Sequence, residues 1–383
     1  MQRRDFLLSS GAAALAATPL FALAADGPGF APAPALSPIR ARPDRIIDIS
    51  VCTRPFRALG PRIEAERRHG KTIVHHYGHG GAGWSLSWGS ARLALELIAA
   101  TRERRIAIIG CGAIGLTTAR VAQRAGLRVR IYCKERPPEV RSSAATGSWS
   151  PDSRICTDEH ATPAFLQRWE AMTRHSFKVY QSLLGLPGQP IEWYDGYALS
   201  DVPFDQPTPG ADEDHEPDYP DLEALVHDLR PKSQALTPAE HPFRVPHVRR
   251  YTQMLFNLPA YFRLLLDDFL REGGEIEQRE FTSPRQLAGL QERTIVNATG
   301  YGARALFGDE SIVPVRGQTA RLVPQQEINY GLIYRGHNLF VAPRRDGILV
   351  QAQGAHDFGN DDTRPDRAAS ESAVERLAAL FSA

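Results

Sequence analysis

Cysteine is scarce in this chain: four among 383 residues (Cys52, Cys111, Cys133, Cys156), with no Cys-x-x-Cys spacing. That removes the usual grounds for a metal site or a dithiol redox pair, and free thiols are expected. Neither sign of charge dominates, since 45 Lys and Arg stand against 44 Asp and Glu for a net charge of +1. Nothing electrostatic therefore favours a nucleic acid or an anionic membrane surface as partner. Past the N-terminus no apolar run is long enough to span a bilayer, and no internal repeat is visible, so stable membrane insertion is not expected. The composition, 42% hydrophobic and 23% charged, is that of a globular chain long enough for two domains with their own cores.

The N-terminus reads as an address. Arg3-Arg4-Asp5-Phe6-Leu7-Leu8 precedes a run of small apolar residues to Leu23, with Ala22-Leu23-Ala24 as a cleavage site. Residues 1–25 resemble a twin-arginine export signal, which implies the twin-arginine translocase as a transient partner, export in the folded state and a periplasmic location. A membrane anchor is the alternative, but the run is rich in Ala, Ser and Gly and only modestly hydrophobic. Residues 26–45, rich in Pro and Ala, are expected to be a linker without a core.

The chain is organised around Arg105-Ile106-Ala107-Ile108-Ile109-Gly110-Cys111-Gly112-Ala113-Ile114-Gly115. A buried strand runs into Gly-x-Gly-x-x-Gly, an Ala-rich helical stretch follows over 116–125, and a second strand over 127–132. Gly110 permits the turn, Gly112 lets backbone approach a pyrophosphate, and Gly115 lets helix pack on strand. Glu135 stands where an acid would take a ribose hydroxyl. Together these predict a dinucleotide at the helix N-terminus, where free N–H groups and the dipole favour phosphate.

About a hundred residues precede this motif. Strands are expected at 46–51 and 72–76, then the glycine-dense turn Tyr77-Gly78-His79-Gly80-Gly81-Ala82-Gly83-Trp84-Ser85, then a helix over 90–101. So many glycines cost conformational entropy and suit a backbone brought close to a ligand. Beyond the motif, Ser142-Ser143-Ala144-Ala145-Thr146-Gly147-Ser148-Trp149-Ser150 is small and hydroxyl-rich, fit to run beside a cofactor or to form an ordinary loop. Helices are expected at 165–184, 254–272 and 365–381. Strands are expected at 191–199 (with Asp195-Gly196 as a turn), 275–281, 294–300, 339–342 and 348–353. Residues 201–223, acidic and Pro-rich, read as a surface excursion or lid.

Five of these segments, the central motif, Ser143 to Trp149, Val296-Asn297-Ala298-Thr299-Gly300, Arg316-Gly317-Gln318 and Tyr77 to Gly81, together resemble the D-amino-acid oxidase family of FAD enzymes. The order differs from that family, whose glycine motif comes first and whose Arg-Pro and Tyr-Gly-His-Gly-Gly segments come last; the chain resembles a circular permutation of it.

The resemblance implies an α/β fold with a Rossmann-type FAD-binding domain and a mixed-sheet α+β substrate domain. The expected division is 46–101 as the permuted segment, 102–160 as the FAD-binding core, 161–280 as mainly substrate domain, 281–318 as a return to the FAD-binding domain, and 319–383 as substrate-domain strands and a closing helix. It implies FAD held by Gly110, Gly112, Ala113, Ile114, Gly115, Glu135, Ser142, Gly147, Trp149, Ser150 and Gly300, and by Gly80, Gly81, Gly83, Trp84 and Ser85 at the flavin. It implies Arg54 as the clamp on a substrate carboxylate and the Gly81 carbonyl as acceptor for the amine. The family's active-site tyrosines are replaced here by Phe340 and Gly336, leaving Tyr334 as a substitute. The implied activity is oxidative deamination of D-amino acids: hydride to flavin, O2 to H2O2, the imino acid hydrolysed to oxo acid and ammonia. A dehydrogenase with another electron acceptor and a non-catalytic flavoprotein remain alternatives, and a homodimer is an open expectation.

Overall fold

The structure is a computed structural model that describes residues 36–208, 216–352, 354 and 356–381. The export signal expected over 1–25 lies outside the described residues.

In chain order the elements are β1 (Ile46–Phe56), β2 (Arg62–Arg68), β3 (Lys71–Tyr77), α1 (Gly83–Ala100), β4 (Arg105–Ile109), α2 (Ala113–Arg124), β5 (Arg128–Cys133), α3 (Pro163–Gln181) and β6 (Ile191–Ser200). There follow α4 (Glu223–Val226), β7 (Gln234–Leu236), β8 (His247–Phe256), α5 (Leu258–Arg271), β9 (Glu275–Gln278), β10 (Thr294–Asn297) and α6 (Gly302–Phe307). The last are β11 (Val313–Leu322), β12 (Tyr330–Tyr334), β13 (Leu339–Arg344), β14 (Gly347–Ala352) and α7 (Arg367–Ala379).

The strands form two sheets, which is the expected α/β fold with a second, mixed sheet. The smaller has the order β2-β3-β10-β4-β5-β9. All its ladders are parallel except β2–β3. Being parallel and covered on both faces, its central strands β10 and β4 are short buried runs dominated by apolar residues. Ile106, Ile108, Val74 and Val296 face α1, α2 and α5, while Ala107, Ile109, Ile73 and Ile295 face Phe281, Leu287 and Leu306. Because β10 lies between β3 and β4, three strands from distant parts of the sequence deliver their following turns to one carboxyl edge. That edge is where an open parallel sheet receives its ligand.

The larger sheet has the order β1-β11-β14-β13-β12-β6-β8-β7, antiparallel except between β12 and β6. One face packs Leu199, Leu332, Val341 and Val350 against α7 residues Ala373, Val374 and Leu377. The opposite face turns toward the carboxyl edge of the smaller sheet through Arg54 and Thr319.

Several expectations are corrected. Residues 36–45 are not a coreless linker: Ile39 and Ala41 are buried in the α7 cluster, and the Tyr330 hydroxyl donates to the Ser37 carbonyl at 2.7 Å. Residues 254–256 end β8 instead of opening a helix, since Pro259 suits the first turn of α5 and cannot donate within it. The helix after the glycine-dense turn starts at Gly83, so Trp84 and Ser85 are helical. Asp195-Gly196 is uninterrupted strand. Gly196 has no side chain because the Tyr251 ring occupies the space, 2.2 Å from where a Cβ would stand. The charged strand β2 has no apolar period and was not expected. All four cysteines are free, as expected, and all four are buried.

Candidate active site

The glycine motif is built as its spacing predicts. Gly110 has a φ of 110°, a value side chains resist, and a Cβ there would stand 2.5 Å from the Ala298 carbonyl oxygen. A Cβ on Gly115 would fall 2.1 Å from the Gly110 carbonyl oxygen, so α2 can lie on the turn only without one. Gly112 precedes the first residue of α2, whose first turn has no acidic residue. The Ser142 hydroxyl accepts from the Ala113 N–H at 3.0 Å. The helix start thus presents free N–H groups and its positive end to a cavity of about 630 Å³. Past the end of β5, Glu135 borders the same cavity, beside Lys134, which is ion-paired with Glu280 at 2.9 Å.

The other end of the cavity comes from the segment before the motif. β3 leads into Gly78-His79-Gly80-Gly81 and α1. Gly80 adopts a φ of 53°, with its Cα pressed so near the Arg154 carbonyl that a Cβ would stand 1.9 Å from it. The Gly80 N–H donates to the Pro55 carbonyl at 3.0 Å, tying this turn to β1. Burial pushes His79 down to about 3 and His76 well below its ordinary value, so both rings are neutral. Neither ring nitrogen of His79 has a partner among the described residues, and His79 borders the cavity. The Trp84 indole donates to the Ser142 carbonyl at 3.0 Å, joining α1 to the loop beside the glycine motif.

Arg54 enters from β1. Its Nη1 donates to the Arg316 carbonyl at 2.8 Å, and the guanidinium rests over Gly317, which stands opposite Cys52 in the β1–β11 register. Arg54, Gly80, Gly81, Gly83, Trp84, Gly110, Gly112, Ala113, Ile114, Glu135, Ser142 and Gly300 all border the one cavity. Residues from widely separated segments of the chain are therefore brought together.

Others of the expected residues stand behind that lining. Gly115 packs helix on turn. Gly147, Trp149, Ser150 and Ser85 brace it: the Trp149 N–H donates to the Met254 carbonyl at 3.0 Å, and the Ser150 N–H to the Ser85 hydroxyl at 2.8 Å. Phe340 lies on the Arg54 face of the larger sheet, packed with Tyr194, Leu255, Ala342 and Leu349. Tyr334 is corrected. It stands opposite Leu339, on the α7 face, with its hydroxyl donating to Asp201 at 2.8 Å. A neighbouring residue in a strand points to the other side of the sheet, so Tyr334 cannot stand in for a tyrosine at position 340.

Sequence reasoning missed the cavity residues Thr53, His76, Arg279, Phe281, Thr282, Thr319 and Asp361. His76 lies two residues before Gly78 and could have been found by the period of two in a strand; Thr53, next to Arg54, could not. Residues 279–282 carry no local signal; they arrive because β9 pairs with β5.

A helix N-terminus without acids, side-chain-free approaches at Gly110 and Gly112, and unpaired neutral histidine nitrogens fit a dinucleotide whose far end reaches Gly80–Gly81. Arg54 borders the same cavity from β1. The family model described as FAD dependent oxidoreductase (DAO) matches residues 105–383, and the chain belongs to that family. It is 28% identical over 284 residues to a D-amino-acid oxidase of Rubrobacter xylanophilus, covering 72% of this chain and 77% of that one. To a D-amino-acid oxidase of Streptomyces coelicolor it is 28% identical over 289 residues, covering 73% and 78%. Among solved structures, the iminodiacetate oxidase of Chelativorans sp. BNC1 is similar at 15% identity and a TM-score of 0.49, covering 72% of this chain and 79% of that one.

Proposed function

We propose that this protein is an FAD-dependent oxidase of D-amino acids, producing imino acids that water converts to oxo acids and ammonia, with O2 as the final electron acceptor. The observation that carries it is Arg54, held over Gly317 and bordering the same cavity as Gly80–Gly81 and the glycine motif. The similarity to relatives named D-amino-acid oxidase supports the substrate class. When bound, FAD supplies the two-electron acceptor. The planar Arg54 guanidinium offers parallel charge-assisted hydrogen bonds to the substrate carboxylate. The Gly81 carbonyl accepts from the amine, so two fixed points orient the α-hydrogen, and orientation accounts for much of the rate. His76 and His79, held neutral, add no positive charge that would compete with Arg54.

Residues 46–101 act in this proposal as the permuted terminal part of the family fold. In support, the family match begins at Arg105, while β1 and β3 pair with β11 and β10 of the matched part. The Arg3-Arg4 segment supports twin-arginine export to the periplasm.

The test is a flavin spectrum of the purified protein followed by anaerobic titration with D- and L-amino acids, then peroxide detection in air. Bleaching by D-isomers and peroxide formation are expected. Absence of flavin, or bleaching by L-isomers alone, ends the proposal.

A further inference from the structure

β4 and β5 end side by side, and a cysteine at the end of each borders the cavity. Their register pairs Ile108 with Ile131 and Ile109 with Tyr132, and the Gly110 N–H then donates to the Tyr132 carbonyl at 2.8 Å. The glycine turn therefore leaves β4 alongside Cys133, the last residue of β5. Val129, Ile131 and Cys133 alternate onto the α2 face of the sheet, and Cys111 lies in the same cluster. The two thiols meet there, with Cys111 donating a hydrogen bond to Cys133. Neighbouring strands about 4.8 Å apart lie within the Cα separation of roughly 4.4–6.8 Å that a disulfide spans. No Cys-x-x-Cys spacing announces these residues; strand pairing alone makes them a pair.

The two sulfurs are unequal. The hydrogen bond from Cys111 outweighs burial and, with the guanidinium of Arg136, brings Cys133 down to about 7. The same hydrogen bond and burial raise Cys111, which keeps its proton. A thiolate that attacks, beside a thiol that resolves, is the arrangement of cysteines that respond to oxidants. The other cysteines lack it. Cys156 is pushed up to about 12 by burial in a separate cluster, and Cys52 belongs to β1 in the other sheet. Cys111 and Cys133 are each 2% exposed, yet both border the cavity. Cys111 stands between Gly110 and Gly112, so a dinucleotide on that turn covers the pair. In a flavin-free chain, a molecule as small as hydrogen peroxide reaches it through the cavity.

We propose that Cys111 and Cys133 form a redox modification site, which hydrogen peroxide closes to a disulfide when the cofactor is absent. The Cys133 thiolate attacks one peroxide oxygen; the O–O bond breaks, and the departing hydroxide takes a proton to become water. Cys133 then carries a sulfenic acid. The Cys111 sulfur attacks the Cys133 sulfur, the S–O bond breaks, and the Cys111 proton leaves with the hydroxide as a second water. Two thiols thus give up two electrons and peroxide accepts them. The oxidase reaction proposed above is one source of peroxide, but the site needs only the oxidant and stands apart from the substrate reading.

The experiment treats the full-length, flavin-loaded protein with hydrogen peroxide, with and without excess FAD, then alkylates free thiols and maps the peptides by mass. Without added FAD, peptides joined through Cys111 and Cys133 should accumulate as flavin dissociates, and dithiothreitol should restore both thiols. Excess FAD should slow this at least about tenfold, because it lowers the flavin-free fraction. Protein stripped of flavin should form the link faster still, and flavin rebinding after reduction shows that the stripped chain is folded. Cys111→Ser should leave Cys133 as a sulfenic acid that dimedone traps, whereas Cys133→Ser should leave Cys111 alkylated as before. Three results each overturn the proposal: both thiols still alkylated after peroxide treatment of the stripped chain, a disulfide to Cys52 or Cys156 in place of this one, or a rate unchanged by FAD.

Discussion

The guanidinium of Arg54 lies against the backbone of Gly317, so that a Cβ at that glycine would stand 2.6 Å from both of its terminal nitrogens. The neighbour is the far end of a flexible side chain, so a larger residue there moves Arg54 without breaking the strand. Gly317→Ala should fold and keep its flavin, yet raise KM for a D-amino acid at least about tenfold, as expected when a charge-assisted hydrogen bond is lost. Arg54→Lys should show a similar KM defect, because an ammonium cannot make the paired contact. Steady-state kinetics on flavin-matched samples decides it.

At Gly115 the obstruction is backbone, not side chain. Gly115→Ala must separate α2 from the Gly110 turn, and the expected outcome is apoprotein. The ratio of flavin to protein absorbance measures it. A variant with full flavin content would remove the close helix–turn contact from the cofactor site.

His79 carries a pH prediction. Its native value of about 3 lies below the ordinary ~6.5, so the unfolded chain binds more protons across that interval. Stability from the neutral ring is fully present above ~6.5 and is lost as pH falls toward about 3, on the order of 2 kcal/mol by pH 5. His76, shifted in the same direction, adds to the slope. Melting temperatures between pH 7 and pH 5 should fall less steeply in His79→Gln than in the parent.

Asp309 links the rim of the site to the fold. Burial works against its charge, but hydrogen bonds from Ser311 and Tyr77 and the nearby Arg57 outweigh it and hold the carboxyl below its ordinary value. Its stabilising effect is present above the unfolded value of ~3.9 and is lost as pH falls through the lower native one. Asp309→Asn should lower the melting temperature at pH 7 and narrow the difference from the parent below pH 4.

Ile39 tests the packing of the segment before β1. Ile39→Ala removes a side chain that is 4% exposed in the α7 cluster and should cost about 2–5 kcal/mol. Urea denaturation with an unchanged m-value would show it.

Local chemistry made the nucleotide end legible. Gly110, Gly112 and Gly115 lie within six residues, and Gly110 and Gly115 have the turn and packing geometry that their spacing announces. Arg54 and Gly80–Gly81 were legible by resemblance, although they stand ahead of the motif. What escaped depended on strand register. Tyr334 and Phe340 are close in sequence, and only the β12–β13 pairing decides that Phe340 shares the Arg54 face while Tyr334 does not. Gly196 resembled a turn because the reason for it, the Tyr251 ring, lies on another strand. Ile39 sat in a Pro-rich stretch whose composition argued against a core, and tertiary burial overrode it.

The order of pairing in the sheets also bears on how the chain is made. β1 finds its partner β11 only after a separation of 262 residues, as between Arg54 and Arg316, and His75 waits 222 residues for Asn297. A ribosome therefore delivers Arg54 on β1 before its partner strand exists, and the glycine turn on β3 with only β2 beside it. Such long-range closures make folding slow and leave strand edges open to aggregation meanwhile. The Arg54 end of the cavity cannot be finished before synthesis has passed β11, so nascent chains stalled short of that strand should complete the glycine-motif sheet yet leave β1 unpaired and dependent on chaperones.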